Sequence, residues 1–215
     1  NNFIDLIGTP FSDDQPPFYF LHVLLPHEPW IYLPSGQRFS LVENPPGLSS
    51  RSGFWTDDVV AVARNYQRHL LQVRYVDALL GRVLDRMKEV GLYDDTLLVV
   101  TADHGASFQP GFSFRSPHRE SFVDHVSVPL FIKLPQQQSS AVLRSNIETI
   151  DIVPTLAALL GSRLPWEVDG VDVFSASVEP RENKMLFYGN PLQRMVGPRD
   201  LESAIESAVA KKHQW

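Results

Sequence analysis

Apolar positions along this chain fall into two patterns: short continuous runs of strand length, and one long stretch with helical spacing. Phe18-Tyr19-Phe20-Leu21-His22-Val23-Leu24-Leu25 is nearly all apolar, which predicts a strand buried on both faces, as in a parallel sheet. It stops at Pro26-His27-Glu28-Pro29-Trp30. Residues 31–55 hold Pro34, Gly36, Pro45, Pro46, Gly47 and Gly53 and read as an irregular surface excursion. From about 56 to 90, Val59, Val62, Tyr66, Leu70, Val73, Val76, Leu80, Val83, Met87 and Val90 recur in steps of three and four. Thr56 is placed to cap this helix, with Asp57 and Asp58 near its positive end and Gly91 at its close. Such a helix would be roughly 50 Å long, enough to allow a break within it. Thr96–Ala102 predicts a second buried strand, ended abruptly by Asp103-His104-Gly105, and Val128–Leu134 a third. Helices follow at about 150–160, closed by Gly161, and 200–213. Strands alternating with helices give an α/β fold, with a mostly parallel sheet flanked by helices.

Composition narrows what such a fold can do. The chain has 215 residues, with 19 Lys+Arg against 25 Asp+Glu and a net charge of −6. That balance offers no excess of positive charge for a phosphate backbone, so no nucleic-acid partner is expected. Hydrophobic residues at 43% and a mean hydropathy of −0.13 describe a soluble, folded chain. No apolar run approaches the roughly 20 residues that span a bilayer. With no cysteine, disulfide frameworks, thiolate metal sites and a cysteine nucleophile are excluded. The chain opens at Asn1 without an initiator Met and stops at Trp215 after a helical pattern, so it reads as a piece of a longer protein.

Candidate chemistry gathers where strands end. In open α/β sheets ligands bind at the carboxyl ends of strands. There Asp103 and His104 present a carboxylate beside an imidazole, a donor pair suited to a divalent metal, while Gly105 permits a sharp turn. As a lone tripeptide the same residues also read as a cap and a loop histidine. His27 follows the first predicted strand directly. If the two strands are parallel neighbours, it lies on the same edge as the Asp103–His104 pair. His118 and His125, with Arg115 and Arg119 nearby, offer cationic and imidazole donors for a sulfate or phosphate ester, or else are plain loop residues. His22 and His69 read as structural. No Gly-x-Ser-x-Gly elbow, Walker loop or Gly-x-Gly-x-x-Gly occurs, and no nucleophile stands beside the metal pair.

Leu92-Tyr93-Asp94-Asp95-Thr96-Leu97-Leu98-Val99-Val100-Thr101-Ala102-Asp103-His104-Gly105 resembles the core motif of the sulfatase family, within the alkaline phosphatase-like superfamily. His27-Glu28-Pro29-Trp30 resembles that family's His-x-Pro loop, and Tyr75–Asp85 the helix before its metal strand. Val126–Lys133 resembles the segment returning to the sheet, and Thr149-Ile150-Asp151-Ile152-Val153-Pro154-Thr155-Leu156 its D-x-x-P-T helix. The resemblance implies metal-dependent hydrolysis of sulfate esters, with Asp103 and His104 as metal ligands and His27 as the group that contacts the ester and protonates the leaving oxygen. Arg115 or His118 would stand in for the family's downstream lysine in binding substrate. Sulfatases often carry Asn and calcium where this chain has His104. Histidine is more typical of phosphoesterase and phosphotransferase relatives, which bind manganese or zinc, so all three metals and both ester types stay open.

The family's nucleophile and remaining metal ligands belong to the N-terminal part of its domain and have no counterpart here. Residues 1–170 thus resemble the C-terminal portion of the catalytic domain, with 171–215 a peripheral extension ending in a helix. The alternatives are a phosphoryl, phosphoglycerol or phosphoethanolamine transferase of the same superfamily, or a non-catalytic module of that fold. Relatives with similar loops are often anchored by upstream membrane helices. The resemblance therefore implies an extracytoplasmic domain of a bacterial membrane protein, attached only through segments absent from this chain.

Overall fold

The computed structural model describes residues 3–9, 16–40, 46–49, 53–118, 121–143, 145–176, 181, 185–186, 193–194 and 198–212. The described chain forms two compact units, residues 1–139 and 140–214.

In the first unit a short helix α1 (Phe3–Leu6) precedes the long helix α2 (Val59–Glu89). The helical period from 56 to 90 is thus realised as 31 residues in one piece, without a break. Its N-cap is Asp58 rather than Thr56. The Asp58 carboxylate accepts from the Val60 and Ala61 amides at 3.0 and 3.1 Å, which satisfies two donors that the first turn leaves unpaired. Gly91 closes the helix at φ +72°, a left-handed conformation that other residues adopt only with strain. The buried side of α2 differs from the expected stripe: Leu70 and Val73 face solvent, whereas Asn65 and Gln72 are buried. Both amides tie down loops. Asn65 Nδ2 donates to the Pro46 carbonyl at 2.6 Å. Gln72 Nε2 donates to the His27 carbonyl at 2.7 Å, and its Oε1 accepts from the Ile31 and Tyr32 amides at 3.0 and 3.2 Å.

Strand β1 (Leu98–Thr101) and strand β2 (Leu130–Lys133) pair antiparallel, with Leu98 opposite Lys133 and Thr101 opposite Leu130. Between them lie a loop and the one-turn helix α3 (Phe122–Val126). The expected parallel arrangement is not met by this pair: the connection is long enough for either direction, and its course, which the apolar pattern of the two strands does not encode, brings β2 back antiparallel. The expected strand at 18–25 is not formed. Phe18, Phe20 and Leu24 are 84%, 75% and 76% exposed, and the stretch makes no ladder. A strand exists only where a neighbour takes up its backbone hydrogen bonds, and among the described residues none runs beside this one. Its expected parallel pairing with 97–102 is therefore absent.

The core of this unit is aromatic. Trp30, Trp55, Val62, Phe108 and Phe114 are buried together, with Leu48, Tyr66 and Ala106 packed against them. Trp30 stacks on Trp55 at 5.8 Å and meets Phe108 at 5.1 Å and Phe114 at 6.4 Å between ring centroids. Indole N–H groups need partners when buried. Trp55 donates to the Ser107 carbonyl at 2.8 Å and Trp30 to that of Pro26 at 3.2 Å.

The second unit contains a 3₁₀ turn (Thr149–Asp151) running into α4 (Ile152–Leu159), a two-residue pair β3 (Met185–Leu186) and β4 (Gln193–Arg194), and α5 (Pro198–Lys212). Asp151 is buried. It accepts from the Glu148 and Val171 amides at 2.8 and 2.9 Å and takes both Arg181 guanidinium nitrogens at 2.6 and 2.7 Å. Thr155 Oγ1 accepts from the Val173 amide at 3.1 Å. Within the D-x-x-P-T stretch, then, the Asp and the Thr fasten the 171–173 strip to the start of α4.

Replacing Gln72 with Leu keeps the volume and leaves one carbonyl and two amides of residues 27–32 without their partner. The expected loss is about 2–3 kcal/mol, from the cost of burying unpaired polar groups. A urea titration reads it as a lower midpoint at unchanged slope.

Candidate active site

The chain leaves β1 through Ala102 and turns sharply at Asp103-His104-Gly105. Gly105 donates its N–H to the His125 carbonyl at 2.8 Å, and a Cβ at this position would overlap the Asp124 carbonyl oxygen. Only glycine fits so close an approach. The Asp124 carboxylate in turn accepts from Ser107 Oγ at 2.9 Å and Gln109 Nε2 at 3.3 Å. The turn is therefore fixed from behind while its two polar side chains stay outward, Asp103 at 83% exposure and His104 at 41%.

Their orientation is defined. Asp103 Oδ1 accepts from the His104 amide at 2.9 Å. His104 Nδ1 lies 2.8 Å from the Gly105 carbonyl, so Nδ1 carries the proton in the neutral ring and Nε2 keeps its lone pair. Nε2 and Asp103 Oδ2 are 3.8 Å apart. Bonds of roughly 2.0–2.5 Å from each atom to one divalent cation span that gap. An imidazole whose second nitrogen is held by a carbonyl is the usual form of a metal-ligating histidine. The pair fits a metal, as two of its ligands. Among the described residues no group of three or more His, Asp or Glu side chains comes together to complete a site.

His27 repeats the device. Its Nδ1 sits 2.8 Å from the Glu28 carbonyl, its own carbonyl is held by Gln72, and the ring is exposed with Nε2 available. The Glu28 side chain is half-buried, and its Oε2 is buried without a hydrogen-bond partner among the described residues. Burial pushes the Glu28 carboxyl above its ordinary range, while the charges of His27 and Arg115 pull it partly back. Arg115 is exposed, one residue beyond the core Phe114, and close enough for that carboxyl to feel it. His118 packs against Phe112 at 5.0 Å, and its carbonyl accepts from the Ser121 and Phe122 amides at the start of α3. Arg119 lies outside the described residues.

Two groups result: His27 with Glu28 and Arg115, and Asp103 with His104. The core joins their loops, since Trp30 closes the first loop and Phe108 follows the second, with their rings in contact. His125 belongs to neither group. It is buried, with Nδ1 and Nε2 facing the Ser121 and Phe114 carbonyls at 2.9 and 3.2 Å, and serves the packing of the loop. His22 is exposed instead of lying within a strand, whereas His69 packs on Trp30 and Phe108 as a structural residue. Sequence reasoning missed Gln72 and Glu28 as supports of the site. A glutamine at a buried-face position of an amphipathic helix is the signal that marks the first.

A profile of the sulfatase family matches residues 1–162. The chain belongs to the sulfatase family. Arylsulfatase K from Bos taurus is 30% identical over 112 residues, covering 52% of this chain and 20% of that protein. An extracellular sulfatase homologue from Drosophila melanogaster is 31% identical over 103 residues, covering 48% of this chain and 9% of its own length. The chain thus spans less than a third of these curated sulfatases. Among solved structures, a phosphonate monoester hydrolase from Silicibacter pomeroyi matches with a TM-score of 0.53 and 28% identity, over 63% of this chain and 28% of that one. The α/β, alkaline phosphatase-like fold is that of this neighbour, represented here by a small sheet and its helices. No helix among the described residues is long and apolar enough to cross a membrane.

Proposed function

We propose that this chain supplies the leaving-group side and part of the metal site of a sulfate-ester hydrolase, with the nucleophile and further ligands contributed by sequence outside it. The observation that carries this is the matched tautomer arrangement of His27 and His104. Each has Nδ1 tied to the carbonyl of the following residue and Nε2 turned outward. For His104 that leaves a lone pair for a cation beside Asp103. For His27 it leaves an Nε2–H, when the ring is protonated, to donate to the leaving oxygen of the ester. Arg115, and His118 in the same loop, would bind the ester's peripheral oxygens through charge-assisted hydrogen bonds. A divalent calcium, manganese or zinc ion at Asp103 and His104 would polarise the ester and offset the charge that develops on it.

Under this proposal residues 1–170 form the C-terminal portion of the catalytic domain and 171–215 a peripheral extension. An extracytoplasmic setting is supported by the extracellular Drosophila relative. A second substrate class, phosphate or phosphonate esters, is favoured by the phosphonate monoester hydrolase neighbour and by histidine at position 104.

The test compares the 215-residue chain with the full-length protein on aryl sulfate and aryl phosphate. The chain alone should show no turnover above background and hold manganese or zinc weakly. The full-length protein should turn over one ester with added metal and lose that activity to a chelator. Stoichiometric, tight metal in the isolated chain would refute the divided site. A metal-loaded full-length protein inert towards both esters would refute the hydrolase and leave a transferase or a binding module.

A further inference from the structure

We propose that Gln72 is the positioning residue of His27, aiming its Nε2 at the leaving oxygen of the ester from within α2. The inference rests on the ester-hydrolase reading above and deepens it.

The exposed ring of His27 is aimed through its own backbone. Its Nδ1 lies 2.8 Å from the Glu28 carbonyl, so the ring turns with the peptide units that join residues 27, 28 and 29. The Gln72 carboxamide fixes that backbone. Its Nε2 donates to the His27 carbonyl at 2.7 Å, and its Oε1 accepts from the Ile31 and Tyr32 amides at 3.0 and 3.2 Å. Both lone pairs of Oε1 are thus engaged, and a carboxamide carries donor and acceptor on one short fork. The side chain is 0% exposed and stands well inside a 31-residue helix, far from ends that fray. On the other side of His27, its own amide donates to the Leu24 carbonyl at 2.9 Å. The bonds to Ile31 and Tyr32 already tie the loop to α2. The bond to the His27 carbonyl is the one that reaches the proposed proton donor. A general acid acts only within hydrogen-bond reach of the atom it protonates, and a misplacement of about 1 Å costs on the order of 10²-fold in rate.

The readout is dependence on the leaving group. Phenolate leaves poorly and needs the proton from His27, whereas para-nitrophenolate departs as the anion and needs it little. Full-length protein with added metal is assayed in mildly alkaline buffer on the phenyl and para-nitrophenyl esters of whichever acid it accepts, sulfuric or phosphoric. Gln72→Met should lower the phenyl to para-nitrophenyl ratio of kcat/KM by at least about tenfold. Both esters are measured on one preparation, so any loss of folded protein cancels, and a merely structural role leaves the ratio unchanged. Gln72→Glu is the gentler variant. Its carboxylate still accepts from the Ile31 and Tyr32 amides, which favours the ionised form, and has no proton for the His27 carbonyl. The same fall is expected. His27→Ala should lower the ratio at least as far, and adding Gln72→Met to it should lower it no further. A ratio that falls in His27→Ala but holds in both Gln72 variants would overturn the positioning role alone. A ratio that holds in His27→Ala would sink the leaving-group reading and the positioning role with it.

Discussion

Asp103→Ala or His104→Ala in the full-length protein should lower aryl sulfate turnover by on the order of 10³-fold, because under the proposed metal assignment each removes a ligand from the ion that offsets the developing charge. The same substitutions should barely change stability. Both side chains are largely in solvent, and their contacts are with each other and with the adjacent backbone. Exposed positions of this kind move stability by about 0.5 kcal/mol or less. That separation makes the experiment decisive: catalysis falls while the thermal midpoint holds. The metal content of the purified variants should fall in parallel with turnover. Activity that survives both substitutions would refute the metal assignment, whatever the family membership.

The largest stability effect is expected far from this chemistry, at Asp151. Burial opposes the charge on its carboxyl, but the two Arg181 hydrogen bonds, the Glu148 and Val171 amides and the Arg181 charge outweigh it and hold the group below its ordinary range. The same pairing raises the Arg181 guanidinium above its usual value. Asp151→Ala strands the guanidinium and two backbone donors, and breaking a buried pair from one side costs about 3–5 kcal/mol. The pH dependence has a definite sign. A carboxyl with a depressed folded-state value contributes its stability fully above the unfolded value of 3.8, and the contribution is lost as pH falls through the lower folded value. The unit 140–214 should therefore weaken below about pH 4, and Asp151→Asn should flatten that slope. Hydrogen exchange at the Val171 and Val173 amides reports it directly. An acid slope unaltered in Asp151→Asn would show that other groups govern it.

What the sequence made legible follows from how local each signal is. The period of α2, the strand before Asp103, the glycine stops at Gly91 and Gly161 and the family motifs are all written within a few adjacent residues. The failures lie where one element needs another. Phe18–Leu25 has the composition of a buried strand, but composition does not supply the neighbour that would bury it, and the run is exposed. β1 was expected in a parallel sheet, and its pairing is antiparallel, a direction set by the course of the long connection and not by the apolar pattern of either strand. In the site itself, Asp103, His104 and His27 stand out because they end apolar runs. Gln72 reaches the His27 loop across 45 positions and Arg181 reaches Asp151 across 30, distances over which a linear pattern carries no mark.

The shared aromatic core has a consequence for how this site varies. The loop that ends in Trp30 and the one that leads to Phe108 lean on the same cluster of rings. Substitutions in contact through such a shared core do not add. A change of ring size at Phe108 alters the seat of His27 as well as that of Asp103 and His104. His27 and the Asp103–His104 pair are consequently inherited as a single adjustable part, and a variant that retunes one without the other must first divide the core between them.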